Sequence, residues 1–210
     1  ANDETGDYYL EQLGHHNINT SIGSRETGTS GRCLVMITPD AERTMHTCLG
    51  ISEFLSIDEL DFETVRQSDY IYIEGYLVTS PTAKSAIIDL KRFAEKNYIK
   101  TAMTFSDSAM LEYFKDDVND VLNDGVDLLF CNEQEALLWS GADKLDEACG
   151  LMQQKARTFA ITRGANGALL YDGSEFISIE GNRVNAIDTT GAGDMFAGAF
   201  LYGITRGEDF

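Results

Sequence analysis

The sequence has no run of about 18 apolar residues, so no helix is expected to span a membrane. Basic residues are scarce: 16 Lys and Arg stand against 35 Asp and Glu, a net charge of −19. Nucleic acid is therefore not an expected partner, because its phosphates would meet a repelling field. The same deficit means that a bound polyphosphate must be received by metal, arginine or backbone N–H groups. Cys33, Cys48, Cys131 and Cys149 form no CxxC pair, and His15, His16 and His46 form no HExxH, so a disulfide frame and a zinc site are not expected. Scattered thiols of this kind point to buried cysteines in a reducing cytoplasm. The opening stretch, ANDETGDYYL, lacks the basic start and apolar middle of a signal peptide. Two nucleotide motifs are missing as well. No glycine opens a GxxxxGK[ST] P-loop, and the dinucleotide pattern GxGxxG, begun at Gly191, meets Phe196 where its third glycine belongs. There is no internal repeat and no low-complexity linker.

What is present is an alternation of strand and helix patterns from Asp69 onward. DYIYIEGYL (69–77) is a β-branched and aromatic run that reads as a strand. Ser80 and Pro81 then supply an N-cap and a first-position proline. Ala83, Ala86, Ile87, Leu90, Phe93 and Ala94 follow at helical spacing. IKTAMTFS (99–106) is a strand, Ser108 to Leu122 a helix, and VDLLFCN (126–132) a short buried strand. Helices are expected from Glu133 to Trp139 and from Leu145 to Ala156. TFAITRG (158–164) is a further strand, and GALLYDG with EFISIEG (167–181) a hairpin. Such alternation implies parallel pairing in a three-layer α/β/α fold with a mostly parallel central sheet. The first 57 residues carry β-rich runs broken by Gly, Ser and Thr and no convincing helix. They read as a small β appendage able to close over a substrate.

DTTGAGD (188–194) precedes the apolar, Ala-rich MFAGAFLYGI, so Gly191 to Asp194 reads as the first turn of a helix. The first N–H groups of a helix have no internal partner and carry partial positive charge. Glycines let an anion approach them closely, which makes the stretch a candidate phosphate cradle. Asn132 and Gly164, each at the end of an expected strand, would converge with it, since ligands of such sheets bind beyond the carboxyl ends of the strands. Taken alone, Asp194 reads more readily as a first-turn acid favouring the dipole. Asn132 and Glu135 could likewise be a capping box, and Thr162, Gly164 and Gly167 a plain strand-to-turn passage.

DTTGAGDMFAGAF (188–200) resembles the C-terminal signature of the ribokinase-like (PfkB-type) carbohydrate and nucleoside kinases. NEQE (132–135) is similar to that family's N-x-x-E motif, and TRGANGALL (162–170) to its nucleotide-binding strand and loop. TPDAERTMHTCLG (38–50) resembles the lid of its adenosine-kinase-like branch. The resemblance implies a ribokinase-like kinase domain over residues 1–210, with a β lid at roughly 18–50. It implies an ATP- and Mg2+-dependent transfer to a primary hydroxyl of a nucleoside such as adenosine, with a sugar acceptor as the alternative. Asp194 would be the base, and Gly191, Ala192 and Gly193 the anion hole for the transferring phosphoryl. Arg43 would be a lid arginine closing on the phosphates. Asn132, Thr162, Gly164 and Gly167 would line the ATP site, and Glu135 would act on Mg2+ through water. Asp188 and Thr190 are candidates for a monovalent cation such as potassium, and the lid for a homodimer contact. A binding protein that lost its chemistry would have no need of the intact Asp194, and an NAD enzyme lacks its third glycine. The family's first strand precedes anything in this chain, and relatives continue past Phe210, so an internal part of a longer kinase is expected.

Overall fold

The computed structural model describes residues 1–20, 27–38 and 43–208. It opens on a helix, α1 (Glu4–His15), where the sequence suggested only β structure. Asp3 caps it, accepting from the Gly6 N–H at 2.8 Å, and the same carboxylate takes the Ser30 N–H at 2.8 Å and the Ser30 hydroxyl at 2.7 Å. Those bonds, Ser30 first, hold the Asp3 carboxyl down at about 2. No residue of α1 is buried, so the helix has none of the apolar stripe by which sequence periodicity finds helices. A two-stranded antiparallel sheet follows, β1 (Arg32–Ile37) with β2 (Arg43–Cys48). Cys33 lies opposite Thr47 and Cys48 opposite Arg32. Both thiols are exposed, which corrects the expectation of four buried cysteines; only Cys131 and Cys149 are inside. The proposed lid runs partly through residues 21–26 and 39–42, which lie outside the described residues, as does the Arg43 side chain.

A short α2 (Phe62–Arg66) leads into the main sheet. Its strands are β3 (Tyr70–Glu74), β4 (Lys100–Thr104), β5 (Val126–Asn132), β6 (Ala156–Thr162), β7 (Ala168–Tyr171) and β8 (Phe176–Ile179), in that spatial order. The first four are parallel and the last three form an antiparallel meander. Between them come α3 (Pro81–Lys96), α4 (Ser108–Tyr113), α5 (Lys115–Leu122), α6 (Glu133–Ser140) and α7 (Leu145–Met152), and α8 (Ala192–Thr205) comes last. Ser80 caps α3 as anticipated, its hydroxyl accepting from Ala83 N–H at 3.3 Å, with Pro81 in the first turn. The helix foreseen from Ser108 to Leu122 is two helices. Phe114 leaves helical backbone (φ −130°, ψ 25°) and packs its ring on the core. Ala156, foreseen as a helix end, instead opens β6 by pairing with Val126.

Strand order that follows chain order, joined by crossovers of one hand, sends every crossover helix to the same face. Helices α3 to α7 accordingly cover one side of the sheet, around Ile73, Met103, Leu129, Phe159 and Ile161. The opposite side is left for α8. Ala102, Leu128, Phe130, Ala160, Ala168 and Leu170 form its floor, and Phe196, Ala197, Phe200, Leu201 and Ile204 pack onto them. Three alanines in that floor let the helix sit close to the strands.

Candidate active site

The four parallel strands end on polar residues facing the α8 side. Side chains alternate along a strand, and Tyr70, Ala102, Phe130 and Ala160 all belong to the cluster under α8. Glu74, Thr104, Asn132 and Thr162 therefore point to that same face. Glu74 stands beside Thr104 and Asn132 beside Thr162 in the ladders. The result is a polar row along the carboxyl edge of an otherwise apolar floor.

Helix α8 starts at this edge. Phe130, near the end of β5, meets the rings of Phe196 and Phe200 edge-on at 6.4 and 5.5 Å, which fixes the first turn of α8 over the strand ends. Gly191 is its N-cap with φ +77°, a left-handed conformation that suits glycine. Ala192 N–H donates to Thr189 O at 3.1 Å. The N–H groups of Gly191, Gly193 and Asp194 have no hydrogen-bond acceptor among the described residues. An added Cβ at Gly193 would meet nothing within 4 Å, so a ligand can approach the backbone there. Asp194 is the third helical residue. Its charge reaches Tyr72 on β3: burial pushes that phenol well above its usual range, the neighbouring Glu74 and then Asp194 push it further, and a hydrogen bond with Thr104 partly offsets them. Tyr72 thus remains a neutral hydroxyl at ordinary pH.

Asn132 closes β5 and caps α6. Its side-chain oxygen accepts from Glu135 N–H at 2.8 Å, and Glu135 Oε2 accepts from Asn132 N–H at 2.9 Å, a complete capping box. Glu135 is 5% exposed; burial first, and the Glu135 carboxylate after it, push the Cys131 thiol far up, so that cysteine is inert. Thr162 closes β6. Gly164 and Gly167 both have positive φ, +54° and +83°. A Cβ on Gly167 would lie 1.9 Å from Ile179 O, so backbone crowding alone requires glycine there. Arg163, between Thr162 and Gly164, forms an ion pair with Glu133 at 3.2 Å.

Asp188 and Thr190 make a local turn, Asp188 Oδ1 accepting from Thr190 N–H at 2.8 Å. The potassium ion anticipated there gains no support from this turn. Among the described residues no group of three or more His, Cys, Asp and Glu could hold a metal. The Glu135 carboxylate is a hard oxygen donor of the kind Mg2+ takes, with Oε2 already accepting from the Asn132 N–H. No helix among the described residues is long and apolar enough to cross a membrane.

The chain matches the pfkB family carbohydrate kinases over residues 2–210. It belongs to that family. A probable sugar kinase from Rhizobium etli CFN 42 superposes with a TM-score of 0.94 at 32% identity, covering 100% of this chain and 64% of the other. The adenosine kinase of Sinorhizobium meliloti gives 0.94 at 31%, covering 100% and 65%. A putative ribokinase from E. coli, in complex with ATP and Mg2+, gives 0.89 at 23%, covering 99% and 68%, and shares the fold. The chain thus spans about two thirds of the length of these neighbours.

The side chains of Tyr72, Glu74, Thr104 and Ser106, at this edge of the pfkB-type sheet, escaped sequence reading. Ser106 sits at φ +70°, its hydroxyl donating to Glu74 Oε2 at 2.8 Å while accepting from Gly75 N–H at 2.7 Å. Its own N–H goes to Thr104 Oγ1 at 3.1 Å. This small network fixes Glu74 next to Tyr72. One signal was available: a carboxylate at the end of the apolar run YIYIE has to be explained. Ser106 carried no such mark, because its role depends on a backbone angle.

Proposed function

We propose that this chain carries the phosphoryl-transfer site of a kinase that moves the γ-phosphoryl of ATP to a primary hydroxyl of a nucleoside such as adenosine. The observation that carries this reading is the meeting of Asp194, the open N–H groups of Gly191 and Gly193, and the strand-end row on one face of the sheet. Phosphoryl transfer asks for positioning and charge neutralisation more than for covalent chemistry. The backbone donors of the α8 N-terminus receive the transferring group, aided by the helix dipole. Asp194, in that first turn, accepts the proton of the acceptor hydroxyl as it attacks. Asn132 and Thr162 would line the nucleotide side, and Glu135 would be the carboxylate that acts on Mg2+. Mg2+, when bound, would supply positive charge that offsets the charge of the phosphates. The β1–β2 ribbon is read as the lid, with Arg43 supplying a guanidinium on closure. Leu34 and Met36, on one exposed face of that ribbon, suit closure over a substrate or contact with a second copy.

A sugar acceptor is the second reading, favoured by the likeness to the Rhizobium etli probable sugar kinase. The test is turnover of MgATP by the intact protein against a panel of nucleosides and sugars, with Asp194→Asn alongside. Adenosine should be phosphorylated fastest, and Asp194→Asn should lower kcat by about 10² to 10⁴, the usual worth of a placed base. A sugar preferred over every nucleoside would overturn the acceptor assignment, and near-normal turnover by Asp194→Asn would overturn the base.

A further inference from the structure

The phosphate donors described above are neutral backbone groups, in a chain of net charge −19. Carboxylates crowd the same edge: Glu74, Glu133, Glu135 and Asp194. A polyphosphate there needs a cation, and Arg163 stands one residue beyond Thr162. Glu133 stands one residue beyond Asn132, and Asn132 and Thr162 are paired. The ion pair therefore links the carboxyl ends of β5 and β6. Its geometry is one-sided: Arg163 Nε donates to Glu133 Oε2 at 3.2 Å. The two terminal guanidinium nitrogens make no hydrogen bond among the described residues. The backbone beneath is anchored, with Arg163 N–H donating to Gly167 O at 2.8 Å and Arg163 O accepting from Asn166 N–H at 3.0 Å. The side chains are 30% and 38% exposed, so the pair contributes little stability of its own. What it does is hold a long, rotamer-rich side chain by its inner nitrogen and leave the outer fork open. A guanidinium fork is the shape that takes two phosphate oxygens at once.

Given the ATP reading above, we propose that Arg163 binds the ATP polyphosphate through its terminal nitrogens and that Glu133 is a positioning residue, gripping Nε so that the fork is ordered before the nucleotide arrives. The electrostatics make this testable by sign. A carboxylate beside a phosphate site should repel the ligand, so removing Glu133 would tighten binding if charge alone mattered. Positioning predicts the reverse.

The experiment is calorimetric titration of the intact protein with MgATP and with inorganic tripolyphosphate, with the ligand-free melting temperature measured for each variant. Arg163→Ala should weaken tripolyphosphate binding by about tenfold or more, the loss of a charge-assisted contact. Glu133→Ala should weaken it by about two- to tenfold, the ordering cost of one long side chain. Glu133→Gln, whose amide oxygen still accepts from Nε, should recover binding at least to the wild-type level. In an Arg163→Ala background, Glu133→Ala should cost nothing further. Tighter or unchanged binding in Glu133→Ala would overturn the proposal, and so would an equal loss in both backgrounds. A wild type that binds neither MgATP nor tripolyphosphate would overturn the ATP reading and this proposal together. Wild-type binding without the coupling would overturn this proposal alone.

Discussion

Glu135 completes the capping box of α6 and is proposed to act on Mg2+, and one pair of substitutions separates the two roles. Its Oε2 takes the Asn132 N–H at 2.9 Å from a position only 5% exposed. Glu135→Gln keeps an oxygen acceptor there but makes the bond neutral. The difference between a charge-assisted and a neutral hydrogen bond is about 1 kcal/mol. For a chain of this size that lowers the melting temperature by about 2–4 °C. Glu135→Ala removes the acceptor altogether and leaves the Asn132 N–H unsatisfied, an additional cost of about 1–3 kcal/mol. The stability order is therefore wild type, Gln, Ala. Action on Mg2+ depends on the charge alone, which both variants lose equally. The Mg2+ concentration for half-maximal rate should rise about tenfold in each, equivalent to roughly 1.4 kcal/mol of lost attraction. Thermal melts without ligand and Mg2+ titrations of the initial rate give the two readouts. Unchanged Mg2+ dependence in Glu135→Gln with a lowered melting temperature would refute the metal role and leave only the capping box. A Mg2+ shift that grows from Gln to Ala in step with instability would refute it equally.

Gly167→Ala should destabilise by about 3 kcal/mol or more, since its Cβ would collide with Ile179 O on a backbone (φ +83°) that only glycine enters freely. At about 2–4 °C per kcal/mol the melting temperature should fall by about 6–12 °C, and a smaller fall would mean that the 179–181 segment yields easily. Arg43→Ala should lower kcat while leaving the dissociation constant of ATP alone nearly unchanged, because a closing lid contributes mainly in the transition state. Arg43→Lys should restore only part of it, and normal turnover in both variants would remove the lid arginine from the mechanism.

The sequence by itself determined the α/β alternation, the cap and proline that start α3, and the family signature at α8. Each is written in local chemistry: a period of apolar residues, a hydroxyl before a proline, glycines ahead of an apolar helix. Asn132 and Thr162 were legible because they end strands whose apolar runs are unmistakable. Helix α1 was not, because it buries nothing and is held through Asp3 to Ser30, 27 residues away. The exposure of Cys33 and Cys48 followed from their place on a two-stranded ribbon, which no local pattern reveals. Only the tertiary structure joined Ser106 to Glu74 and Arg163 to Glu133, pairs 32 and 30 residues apart. Each pair faces one edge of the sheet because the parallel strands run in register and end together, and register is a property of the whole sheet that no single strand encodes.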